Sequence, residues 1–214
     1  MEAFFSDLLD RFLGTAFLDK VGKKYHYWES QTMELEAVAE EMLPLLRREA
    51  CWERRECCGL GRPLFEKYRW NQTDVADTVY EEVVMSLGRG LDDLQESYTQ
   101  RGMLSESYML EVLADELLLE GYGAYNRYIR ENTVWHVARY HFLGSEEDFP
   151  LEMMPELLHS FAIPVTCNEV FCMQPKKSVV FVSELTQDEK VSCRGICMGC
   201  NSTRCANRIG SLDK

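Results

Sequence analysis

SESYMLEVLADELLLEGYGAYNRYIR, residues 105–130, is the longest periodic run in the chain. Leu110, Leu113, Ala114, Leu117, Ala124, Tyr125 and Tyr128 recur there at i, i+3, i+4 and i+7 spacing. That pattern predicts one long helix with an apolar stripe turned to a core. Gly121-Tyr122-Gly123 lies inside the run and reads as close helix packing, not as a phosphate-cradling loop. Glu120 follows Leu117 by three and precedes Ala124 by four, so its carboxylate projects onto the stripe and needs a partner or a raised pKa. Two readings stand: an edge position paired with Arg127 or another cation, or a ligand contact.

The neighbouring segments supply what that helix packs on. Leu35, Val38, Ala39, Met42, Leu45 and Leu46 give an amphipathic helix over 33–55, bent at Pro44. Turn formers over 57–63 end it. Val83-Val84-Met85 predicts a short buried strand ending at Gly88 and Gly90, followed by a helix over 91–98. Leu151 to Phe161 reads as a short helix, and Ser178 to Leu185 (SVVFVSEL) as a β-rich strand. The regular strand-helix-strand alternation of a doubly wound fold is missing, so the expected class is α+β, with helices and strands segregated over an antiparallel sheet. No internal repeat stands out.

With 214 residues and 46% hydrophobic content, the chain can bury one sizeable core. The expected organisation is an N-terminal helical region (1–64), an α+β core (65–190) and a cysteine-rich tail (191–214). A formal charge of −13 and a pI near 4.8 argue against a nucleic-acid partner, because backbone affinity comes from Lys and Arg displacing counterions. Met1 to Leu13 carries Glu2 and Asp7 and no uninterrupted apolar stretch, so the expectation is no signal peptide, no membrane span and a cytoplasmic protein.

Nine cysteines in that setting point to thiolate chemistry more than to disulfides. Cys193, Cys197, Cys200 and Cys205 give the spacing C-x3-C-x2-C-x4-C, with Gly195 and Gly199 letting the backbone fold tightly. Four soft ligands so close together can converge on an iron–sulfur cluster or on zinc, and the choice stays open. Cys167 and Cys172 are expected to pack in the core, as are Cys51, Cys57 and Cys58. His26, His136, His141 and His159 show no metal-ligand spacing, and no Ser, His, Asp order can be defended, so no catalytic residue is singled out.

The order of these pieces resembles a known family. Residues 83–125 (VVMSLGRGLDDLQESYTQRGMLSESYMLEVLADELLLEGYGAY), 149–163 (FPLEMMPELLHSFAI) and 164–185 (PVTCNEVFCMQPKKSVVFVSEL) are similar to the activation domain of vitamin B12-dependent methionine synthase, above all to its small stand-alone relatives. The likeness spans roughly 65 to 185. Its most specific part is Thr166 to Ser178, with Met173, Pro175 and Lys177-Ser178.

The resemblance implies a helmet-like α+β fold on a twisted antiparallel sheet. It also implies a protein that binds S-adenosylmethionine and docks on a cobalamin-bearing methyltransferase or corrinoid protein stalled at Co(II). One electron from a donor such as a flavodoxin or ferredoxin, followed by methyl transfer, then restores methylcobalamin. In that scheme the protein supplies proximity and orientation.

The family's ligand loop resembles Arg-x-x-Pro-Gly-Tyr before a Pro-Leu-Glu helix start. Arg139, Gly144 and Pro150-Leu151-Glu152 occupy the corresponding region, but the intervening YHFLGSEEDF lacks the Pro and the Tyr. An arginine can hold the ligand carboxylate bidentately and a glycine can let backbone approach. The resemblance also makes Glu120 a candidate to face the cationic ligand, whereas pairing with Glu146 or Glu147 is the alternative for Arg139. The rival from another class is a non-catalytic metal-binding or redox-sensing protein that keeps the fold. A small iron–sulfur electron carrier is a third.

Overall fold

A computed structural model of the chain describes residues 3–12, 14–57, 78–147, 149–188, 190–191, 193 and 196. Three helices open it, α1 (Ala3–Phe12), α2 (Thr15–Lys24) and α3 (Glu29–Glu49), before strands β1 (Cys51–Cys57) and β2 (Thr78–Ser86). Helices α4 (Arg89–Gln100) and α5 (Leu104–Asn132) follow, then β3 (His136–His141). A 3-10 turn over Leu151–Met153 leads into α6 (Met154–His159), and β4 (Thr166–Cys167), β5 (Met173–Gln174) and β6 (Ser178–Thr186) follow among the described residues.

Four strands make one antiparallel sheet in the order β1-β2-β6-β3, while β4 and β5 form a separate small hairpin. The α+β class with an antiparallel sheet packed against helices is therefore what the chain adopts.

Side-chain alternation divides the core into two layers. Val83 and Met85 of β2 and Phe181 and Leu185 of β6 point to the layer built by α1, α2, α3 and α5. Val84, Val180 and Val182 point the other way, onto a thinner layer of Phe149, Met153, Leu157, Leu158 and Phe161. Burial on both faces is why these strands read as near-continuous apolar runs and not as an alternation. Phe181 sits at the centre of the thick layer, its ring 5.1 Å from Tyr122, 5.2 Å from Tyr140 and 5.5 Å from Tyr125.

α5 fulfils the expectation drawn from its periodicity, and its glycine has the predicted reason. A Cβ on Gly121 would meet Met85 Sδ at 3.3 Å, so the helix axis approaches the sheet at that point.

The helix expected over 33–55 requires correction. It stops at Glu49, and residues 51–57 form an edge strand in register with β2, from Cys51 opposite Ser86 to Cys57 opposite Tyr80. Trp52 goes to the thick layer, packed edge-on against Tyr128 at 5.2 Å. Its companions on the strand are charged, and counter-charges on β2 accept them (below). β3 was likewise not anticipated: Arg139 lies on a strand, with a register shift between Val137 and Arg139, and not in a loop.

Candidate functional site

β3 ends in a turn that gathers several of the anticipated residues. Gly144 has φ +79°, donates its N–H to Phe149 O at 2.7 Å, and would place a Cβ 3.4 Å from Leu151. Both the backbone conformation and this close approach favour glycine. Leu151 of the Pro-Leu-Glu segment is thus the group that the glycine admits.

Arg139, 46% exposed, donates to Glu146 Oε2 at 3.0 Å. Glu146 also faces His141, whose Nδ1 lies 3.1 Å away, while His141 Nε2 lies 3.1 Å from Glu184 Oε2. The buried imidazole stacks on Phe149 with centroids 4.5 Å apart. Burial, then the Glu184 carboxylate, pushes the nearby Tyr80 phenol up to about 12. A cation, an imidazole and two carboxylates thus share the thin-layer face of the sheet. Sequence spacing gave no hint of His141, because its partners lie 5 and 43 residues away.

Glu120 is elsewhere. It accepts from Lys20 Nζ of α2 at 2.6 Å, so the cation that satisfies it is not Arg127, and it belongs to the helical layer. The deeply buried carboxylate of α5 is Glu116, 1% exposed, with Lys24 Nζ at 2.5 Å, Tyr25 Oη at 3.1 Å and Lys20 Nζ at 3.6 Å. Glu116 follows Leu113 by three and so was on the same stripe. It escaped notice because α1 and α2, which no periodicity argument placed, cover that side of α5. Lys177, in the segment of strongest family likeness, bonds Glu111 at 2.5 Å and Asp115 at 2.7 Å and ties β6 to α5.

Of the four tail cysteines, Cys197, Cys200 and Cys205 lie outside the described residues, as does Cys58. Cys193 is half-buried against the thick layer, and its N–H donates to Val137 O of β3 at 3.2 Å. His136 helps to hold that approach, its Nε2 lying 2.7 Å from Val191 O and 2.9 Å from Asp188 O. Among the described residues, no group of three or more His, Cys, Asp and Glu could hold a metal ion.

A cleft of about 960 Å³ opens at another place, between α4 and the β4–β5 hairpin. One wall is the charged face of α4, with Arg89, Asp92, Asp93 and Glu96; the opposite wall carries Thr166, Asn168, Cys172 and Met173. Arg48, Cys51 and Lys176 complete the rim. The start of α4 is already supplied with an anion: Glu49 Oε2 accepts from Gly90 N–H at 2.6 Å. Hydrogen bonds from Arg48 and then from Gly90 hold the Glu49 carboxyl below its usual range. Asp92 accepts from Lys176 N–H at 3.0 Å, which pins the hairpin to α4.

Cys172 is exposed on this wall, which corrects the expectation that it packs in the core. The β4–β5 hairpin is too short to bury both of its flanking thiols. Cys51 and Cys167 are half-buried, and burial pushes both thiols up. Arg139, Gly144 and Glu120 do not line this cleft.

Among the described residues, no helix is long and apolar enough to cross a membrane. No protein-family model matches the chain, and no curated protein is similar to it at a significant level.

Proposed function

We propose that the chain is a stand-alone reactivation factor for a cobalamin-dependent methyltransferase of the methionine synthase type. It binds S-adenosylmethionine and docks on the corrinoid-bearing partner, in the cytoplasm, with a flavodoxin or ferredoxin as electron donor. The observation that carries this reading is the second half of β3 together with the turn after it. Arg139, Gly144 and Pro150-Leu151-Glu152 follow one another there in the order of the family's ligand loop, and the guanidinium is half-exposed and held by one carboxylate. An ion pair at that exposure is weak enough to exchange for a ligand carboxylate. Glu120, which belongs to the helical layer with Lys20, takes no part in this reading.

The ligand chemistry is methyl donation from a sulfonium, and the chain's own contribution is to hold and orient it. The cysteine tail, anchored at Cys193 beside β3, supplies a one-electron centre in this scheme, as an iron–sulfur cluster. Anaerobically purified protein should then absorb broadly in the visible and bleach with dithionite, whereas a colourless protein with stoichiometric zinc removes the electron-transfer part.

Calorimetric titration with S-adenosylmethionine tests the main reading. Saturable heat is expected, with the affinity weakened in Arg139→Ala. Absence of heat or thermal shift at millimolar ligand leaves the metal-binding or redox-sensing rival.

A further inference from the structure

We propose that His141 is a proton-operated latch on the turn after β3: doubly protonated, it ties Glu146 of that turn to Glu184 of β6, and on losing one proton it releases the turn. This goes beyond the corrinoid reading and does not depend on it.

The geometry of the ring carries the proposal. His141 is 6% exposed, and both of its nitrogens face carboxylates, Nδ1 at 3.1 Å and 3.3 Å from the two Glu146 oxygens and Nε2 at 3.1 Å from Glu184 Oε2. These are hydrogen-bond distances. A neutral imidazole has one N–H and one lone pair, so it can donate to only one of the two carboxylates and turns its lone pair on the other. The imidazolium donates to both, and two carboxylates offset the hydration that a buried cation gives up. Phe149, whose carbonyl accepts from Gly144 N–H across the turn, stacks on the ring at 4.5 Å and fixes its plane.

The surrounding groups decide which contact yields. Arg139 of the same strand donates to Glu146 at 3.0 Å, whereas among the described residues no lysine or arginine pairs with Glu184. The neutral ring therefore keeps its N–H on Glu184, within the sheet, and turns its lone pair on Glu146, in the turn. The proton that leaves Nδ1 passes to water. From β2, Tyr80 faces the ring with centroids 6.3 Å apart, and Glu82, across Val182, is paired with Arg55. Glu147, Glu152, Glu156 and His159 of the covering segments are exposed, and the cover is buried through Met153, Met154 and Leu157. The turn is thus held on the acid side and let go as pH rises through the imidazole titration. Below the ordinary carboxylate range, about 4, Glu146 and Glu184 lose their charge and the latch fails again.

The test uses the full chain at about pH 5.5 and about pH 8.5, which bracket the ordinary imidazole range. Ring-nitrogen NMR shifts of isotope-labelled histidine, assigned by through-bond correlation to the His141 backbone, distinguish the imidazolium from either neutral tautomer. The imidazolium is expected at the lower pH, and at the upper one a neutral ring with its proton on Nε2. Over the same interval, the amide-exchange protection factors of Gly144 and Phe149, which are free of the intrinsic pH dependence of exchange, should fall about tenfold while those of α5 hold. In His141→Gln, whose side chain cannot titrate, protection of the turn should be the same at both pH values. The wild-type measurements decide the matter even if that variant fails to fold. A ring with the same charge at both pH values, or a ring that titrates while the turn keeps its protection, overturns the proposal. So does a pH dependence that survives in His141→Gln, since it then belongs to another group.

Discussion

Two arginine–glutamate pairs, one on each face of the sheet, differ in what surrounds them. Arg54-Arg55 on β1 and Glu81-Glu82 on β2 are adjacent in sequence, and the strand alternation sends one member of each pair to each face. On the thick face Arg54 bridges to Glu81, which is 4% exposed and also accepts from Tyr125 Oη at 2.8 Å. The Arg54 guanidinium lies over the Tyr128 ring, 5.2 Å from its centroid. On the thin face Arg55 lies 3.4 Å from Glu82, but it also bonds Ser160 and covers Phe161 at 4.3 Å.

The first arrangement welds β1 and β2 to α5. The second clamps the end of α6, a helix of 6 residues, to the sheet. The same dipeptide chemistry thus closes the thick face and merely staples a cover onto the thin one. The cover that is only stapled is also where Arg139 and Gly144 lie.

The largest effect that probes this contrast comes from Phe181→Ala. The ring is fully buried amid three tyrosines, and its removal should destabilise the fold by about 3–5 kcal/mol, seen as a lower urea midpoint. A loss under about 1 kcal/mol would mean that the thick layer is not the main core.

Arg54→Met should follow at about 3 kcal/mol, because it leaves Glu81 buried with only a tyrosine hydroxyl. Arg55→Met should act locally instead. Amide exchange should accelerate over 154–161 while α5 stays protected. Equal acceleration in α5 and α6 would erase the distinction between welding and stapling.

Glu49→Gln offers a smaller, pH-resolved test of the β2–α4 junction. Because the folded carboxyl titrates below its unfolded value, its contribution is present above the unfolded pKa and fades as pH falls through the folded one. The variant should be less stable by about 0.5–1 kcal/mol near neutrality, and the difference should vanish in acid. A gap that stays constant down to pH 2 would assign the effect to packing.

Arg139→Ala should change stability least, by under about 0.5 kcal/mol, since its ion pair is half-exposed. Ligand affinity should nonetheless fall about tenfold or more, because the ligand carboxylate loses its charged donor. A large stability loss with unchanged titration heat would make Arg139 a structural residue only.

Much of the fold was legible before any coordinates. α5 followed from apolar spacing, the strands at 83–85 and 178–185 from β-rich apolar runs, and α4 and the short helix expected over 151–161, which the structure confines to 154–159, from the segments between them. β1 was not legible. CWERREC offers one large apolar side chain, and its charges look like the polar face of a continuing helix unless Glu81 and Glu82 are known to lie opposite. β3 was hidden for a related reason. HVARYH carries histidines and an arginine whose partners lie on other elements, so hydropathy alone leaves it in the loop.

The site followed the same rule. Arg139 on β3 and Gly144 in the turn after it do lie close in the chain and on one side of the sheet, but Glu120 belongs to the helical layer, with Lys20. The cleft beside α4 was not anticipated at all, since its walls come from 48–51, 86–96 and 164–176.

By itself, the order of residues determined which segments had to be buried, since the period of apolar side chains follows from backbone geometry and is written locally. It also determined the acidic charge and the crowding of cysteines toward one end of the chain. Only the tertiary structure decided which charges meet, which thiol stays open to solvent and where a cavity forms. Those outcomes depend on side chains brought together from distant positions, and no local pattern encodes which distant element arrives.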